Sequence, residues 1–152
     1  MSHQGTTNDL ILLFALIFAL YRVGDIWTFQ VVLFPLWPMV PGEVFPAYQQ
    51  KHFRSIFGVI FVPMGLSALG AVLLWFFPPP SAPEWLLVAA LALQGILFLS
   101  LLYWVPLQLR IAREGNRPDL MRELIGMHWT RVANLTLYAA VVVALAWIRL
   151  RH

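Results

Sequence analysis

The amino-acid sequence predicts an all-α integral membrane protein: a single four-transmembrane-helix bundle over residues 1–152, with a short interfacial helix between spans one and two. Three observations carry this reading. The chain is 61% hydrophobic and only 11% charged, more apolar surface than a water-soluble domain of 152 residues hides in its own core. Its apolar residues gather into four runs, each near the ~20 residues that cross ~30 Å of hydrocarbon. Between the runs lie prolines, glycines and basic residues, which end helices and mark the water interface.

Span one runs from about residue 10 to 34 and is unusual in carrying Arg22, Asp25 and Gln30 within its apolar stretch. Nothing before it has the basic flank and small-residue cleavage site of a signal peptide, so the span is expected to be retained. Pro35, Pro38, Pro41 and Pro46 fill a first connector too long for a turn; Val44, Phe45, Tyr48 and Phe53 are expected on a short helix at the membrane surface. Spans two (55–77) and three (85–109) have no charge, and Pro78-Pro79-Pro80-Ser81-Ala82-Pro83 between them forces a stiff, tight connection. The third connector holds Glu114-Gly115-Asn116-Arg117-Pro118, a helix stop and restart, followed by amphipathic turns over 119–126. Span four covers about 129–148 and opens with polar residues.

Lys51, Arg54, Arg110, Arg113, Arg117 and Arg122 lie in or beside the first and third connectors, whereas the Pro-rich connector has no basic residue. The positive-inside rule then puts those two connectors in the cytoplasm and both termini outside. Trp75, Trp85 and Trp147 would mark the outer interface, and Trp37, Trp104 and Trp129 the inner one. The formal net charge of +3 is explained by this topology, so no nucleic-acid partner is expected. The absence of cysteine excludes disulfides, thiolate metal sites and a cysteine nucleophile.

Candidate site residues are the polar groups a bilayer would otherwise exclude, since a mid-membrane charge costs roughly 2.5–3.5 kcal/mol. Arg22 and Asp25, three residues apart, share a helix face: either they form an internal ion pair that fixes helix register, or Arg22 holds an anionic or carbonyl-bearing ligand that Asp25 positions. A second group comprises His52 with Gln49, Gln108, and His128, Arg131 and Asn134, the last three within an arc of about 120° on one helix. Gln30 adds hydrogen-bonding capacity. No catalytic residue and no cofactor or metal ligand set is predicted. His52 and His128, on separate helices, are the one arrangement suited to a haem, or with Glu43 or Met127 to a metal ion, against the commoner structural role of such histidines. Ser67 and Ser100 lack an acid and base at any triad spacing. Pro63 and Pro106 interrupt spans two and three and free backbone carbonyls; a tolerated kink is the plainer reading.

The order Phe29-Gln30 with Phe34-Pro35, then Tyr48 to Arg54, Val105-Pro106-Leu107-Gln108 and His128-Trp129-Thr130-Arg131-Val132-Ala133-Asn134 resembles small four-span bacterial membrane proteins of the anthrone-oxygenase-like family. The likeness runs from about Gln30 to Asn134 and departs at His128, where members often carry asparagine. It implies the four-span fold and action on an aromatic, polyketide-like molecule. Two functions follow as expectations. One is a binder or enzyme for a lipophilic aromatic or quinone-like molecule, contacted by Arg22, Asp25, Gln30, His52, Gln108, His128, Arg131 and Asn134, with Trp27, Trp104 and Trp129 as walls. The other is a non-catalytic accessory subunit whose partners are membrane lipid and a larger membrane protein, or further copies of itself. A transporter is disfavoured, because neither a continuous polar path nor an inverted repeat is present.

Overall fold

A computed structural model describes residues 3–151 as four long helices, with no strand among them. Span one is Gly5–Met39, span two Phe45–Phe76, span three Glu84–Glu114 and span four Pro118–Arg151, each apolar enough to cross a membrane. The chain is a multi-pass membrane protein. At 1.5 Å per residue each helix is roughly 45–55 Å long and outruns the hydrocarbon at one or both ends.

The helices are longer than charge and proline content suggested, because they end where the backbone must break. Span three runs past Leu109 to Glu114 and stops at Gly115, whose φ of 81° is a glycine conformation. Pro118 then starts span four with Asp119 in its first turn, where an acidic residue complements the helix dipole. The expected amphipathic turns are therefore the opening of span four. Phe45–Ile56 is the expected short helix, but it continues without a break into span two instead of lying apart at the surface. Its Phe45 and Gln49 are buried and pack inward.

Proline explains the two irregular turns. π-Helical segments at Phe29–Leu33 and Phe57–Phe61 immediately precede Pro35 and Pro63, which cannot donate to the carbonyl four residues back. At Pro63 that carbonyl is Val59, and the Tyr21 hydroxyl of span one donates to it at 3.0 Å. The residue that interrupts the backbone bonding of span two thus helps fix it to span one.

Span one packs against spans two and four, and span three against the same two, giving an up-down-up-down square. Near the Pro-rich connector the core is built from Leu12, Ala15, Ala71, Leu74, Ala90, Tyr138 and Val142. A methyl group on Gly70 would sit 3.1 Å from the Ala15 backbone, so spans one and two are in close contact there. Arg149 clamps Asp9 through two bonds of 2.7 and 3.0 Å, and Asn8 donates to the Pro78 carbonyl at 2.8 Å. The two terminal segments and the Pro-rich connector therefore share one end of the bundle. At the other end Phe34, Trp37, Phe45, Leu107, Ile111 and Leu124 form a second core. Asn116 of the third connector donates to the Val40 carbonyl of the first at 2.6 Å. Trp37, 1% exposed, and Phe45 are core residues here and not interfacial ones. The connector folds back over the helix ends and shields them.

Candidate ligand-binding site

Between the two apolar cores lies a polar layer. Arg22 and Asp25 form the ion pair that their spacing implies, with Arg22 1% exposed. Gln30 is fixed twice: its Nε2 donates to the Ile125 carbonyl at 3.3 Å, and its Oε1 meets His128 Nδ1 at 2.8 Å. Because the Gln30 amide nitrogen is already committed to a carbonyl, its oxygen is the acceptor. Nδ1 of His128 therefore carries the proton, and Nε2 keeps its lone pair. The imidazole is also held edge-on against Phe34, with ring centroids 4.7 Å apart.

Arg131 follows His128 at i+3, roughly 20 Å along the helix from Pro118. Its guanidinium lies over the Trp104 ring, 4.8 Å from the centroid, a cation–π geometry. The side chain is 7% exposed and forms no salt bridge with any described carboxylate. Its Nε and Nη1 have no hydrogen-bond partner among the described residues; neither does Arg22 Nε nor Trp104 Nε1. Buried polar groups in folded proteins almost always have partners. Four such donors here belong to three side chains of one cleft.

That cleft is lined by all four spans: Arg22, Asp25, Phe29 and Phe34 from span one, Ile60, Phe61 and Met64 from span two, Leu101 and Trp104 from span three, His128 and Arg131 from span four. A void of about 40 Å³ lies within about 450 Å³ of space that opens outward. The void itself is the size of about three water molecules, large enough for the oxygen-bearing end of a ligand. Asp25, Phe29, Ile56 and Ile60 form a shared wall, and beyond it an open groove of about 600 Å³ runs between spans one and two.

Of the residues singled out from sequence, Arg22, Asp25, His128 and Arg131 line this cleft, and Gln30 orients His128. The other three do not join them. His52 lies on the outer groove, stacked on Tyr48 at 6.0 Å and edge-on to Trp37 and Phe29. Gln108 accepts a 3.1 Å bond from Gln49 and ties span three to the Phe45–Ile56 segment. Asn134 donates to the Leu93 carbonyl at 2.9 Å and faces span three. The two imidazoles thus have different surroundings, and among the described residues no three His, Asp or Glu side chains converge on a metal-sized point. Of the three tryptophans expected as walls only Trp104 serves. Trp27 and Trp129 pack edge-to-face at 5.6 Å, both well exposed, and Trp27 Nε1 donates to Thr136.

One polar group went unread in the sequence. Gln94 donates to Ser67 Oγ at 3.0 Å and Tyr138 to the Ser67 carbonyl at 3.1 Å, joining spans two, three and four within the bundle. A lone amide midway along span three was the available signal. Comparison with known proteins finds no matching family model and no significant match among curated proteins or solved structures.

Proposed function

We propose that the chain binds a lipophilic aromatic or quinone-like molecule in the intramembrane cleft, with an oxygen of the ligand on Arg131. The observation that carries this reading is the Arg131 guanidinium, buried over Trp104 with two N–H groups that have no hydrogen-bond partner among the described residues and no salt bridge to Asp25, which Arg22 holds. A structural arginine at this depth would be expected to spend its donors internally, because an uncompensated charge in hydrocarbon is costly. Phe29, Phe34, Phe61 and Trp104 supply flat apolar walls suited to a ring system. The Nε2 lone pair of His128 suits a proton acceptor for an acidic O–H or C–H of the same ligand. Oxidation of the bound molecule is the reaction class that the resemblance to anthrone-oxygenase-like proteins adds. The basic residues of the first and third connectors support a bacterial inner-membrane location with both termini outside.

The test is purification from native membranes in mild detergent, with mass spectrometry of the small molecules retained by wild type, Arg131→Leu and His128→Ala, and thermal melts as a control for folding. The expected result is an aromatic metabolite retained by wild type and reduced at least about tenfold in Arg131→Leu, with the melt preserved. Equal retention by all three proteins would contradict the proposal. A stoichiometric membrane-protein partner with no small molecule would favour an accessory subunit.

A further inference from the structure

The polar layer has an unbalanced charge and an unbalanced hydrogen-bonding inventory. Its ions are Arg22 and Arg131, both buried, and the half-buried Asp25: two positive groups against one negative. Asp25 is taken by Arg22, and His128, donating through Nδ1 to Gln30, contributes no negative charge. The layer is left with one net positive charge. The unpartnered atoms of the cleft are Arg131 Nε and Nη1, Arg22 Nε and Trp104 Nε1, every one an N–H donor. Among the fully enclosed unpartnered atoms of the described residues, the oxygens of Gln49 and Gln94 lie outside the cleft, whose acceptors are His128 Nε2 and the carboxylate of Asp25. The cation–π contact occupies a face of the Arg131 guanidinium and uses none of its in-plane N–H groups.

From this we infer that the ligand of the proposed site is bound as a monoanion, an ionised oxygen such as a carboxylate, phenolate or enolate seated on Arg131, with Trp104 and Arg22 as further donors. The inference rests on the aromatic-pocket reading and specifies the charge state of its ligand. A single negative charge balances the layer, whereas a neutral carbonyl would leave the net charge in place and a dianion would overshoot it. An ionised oxygen accepts from the unpartnered N–H groups of Arg131, and charge-assisted bonds to guanidinium are the stronger kind. A void of about 40 Å³ seats the ionised group, while the rings take the wider opening.

The probes are anthracene-2-carboxylate and its neutral isostere anthracene-2-carboxamide, titrated into full-length protein in phosphatidylcholine nanodiscs and read by energy transfer from tryptophan to anthracene. The carboxylate is expected to bind at least about tenfold more tightly than the carboxamide. Arg131→Gln should bring the two within about twofold and Arg131→Lys should keep part of the preference, with circular dichroism showing all three proteins folded. Equal affinity of the two probes in wild type, or a preference that survives Arg131→Gln, would overturn the monoanion assignment while the aromatic pocket stands. If neither probe saturates, the pocket reading fails and this inference fails with it. Thermal stabilisation by sodium chloride alone that is lost in Arg131→Gln and competes with the carboxylate would assign the site to a free inorganic anion, again overturning the proposal.

Discussion

Replacing Arg131 with methionine should stabilise the ligand-free bundle, the opposite of what removing a structural arginine does. Two of its nitrogens are buried without partners, and each unsatisfied buried donor costs about 1–3 kcal/mol. The stacking over Trp104 at 4.8 Å returns about 0.5–2 kcal/mol. Methionine fills most of the same volume and keeps a sulfur–aromatic contact with Trp104 worth about 0.3–1.5 kcal/mol. The net expectation is a gain of about 3–4 kcal/mol, at the upper end of the range seen when buried ionic groups are replaced by apolar ones. Arg22→Met provides the contrast. It leaves Asp25, whose side chain is 9% exposed, without its cation, and should cost about 3–5 kcal/mol. The assay is reversible unfolding in mixed micelles with increasing dodecyl sulfate, followed by tryptophan fluorescence and circular dichroism. A loss of more than about 1 kcal/mol in Arg131→Met, similar to that of Arg22→Met, would refute the claim that Arg131 is held in reserve for a ligand.

Three further outcomes follow from the packing. Tyr21→Phe should cost about 1 kcal/mol through the lost bond to the Val59 carbonyl, and almost nothing in a Pro63→Ala background, where the restored amide serves that carbonyl; a double-mutant cycle by the same unfolding assay measures the coupling. Gly70→Leu should destabilise the bundle by about 1–3 kcal/mol, because its side chain meets the Ala15 backbone where spans one and two are in close contact; thermal melts in detergent report it. Asn116→Ala frees the Val40 carbonyl and removes the second bond to the Trp37 carbonyl, which keeps the Val40 N–H, and should raise hydrogen exchange across residues 37–44 while leaving the Pro-rich end unchanged.

The fold was legible in the sequence because bilayer thickness sets helix length and prolines punctuate the apolar runs. The helix limits were not, since charged residues near a helix end do not stop it: Arg110 and Arg113 ride on span three until Gly115 breaks it. The Arg22–Asp25 pair could be read from spacing alone, being local to one helix. His128 and Arg131 were also found together. Asn134 continues the same three-residue rhythm, but each step turns the helix by 300°, so over six residues the side chain swings about 120° and reaches span three instead. His52 was misplaced for a tertiary reason. It precedes the π turn at Phe57–Phe61, which alters helical register, and the aromatic side chains of the first connector draw it outward. That connector, with Trp37 and Phe45, looked interfacial by composition. Its burial comes from packing on Leu107, Ile111, Leu120 and Leu124, with Asn116 bonded to its carbonyls, all contacts from more than sixty residues away that leave no local signal.

The most direct test of the ligand site is an experimental density map of the protein taken from its native membrane, at a resolution that shows side chains, beside the same map for Arg131→Leu. The account predicts non-protein density against Trp104 and within hydrogen-bonding distance of Arg131, absent from the variant. An Arg131 guanidinium turned onto Asp25, with the cleft closed over it in both maps, would contradict the account.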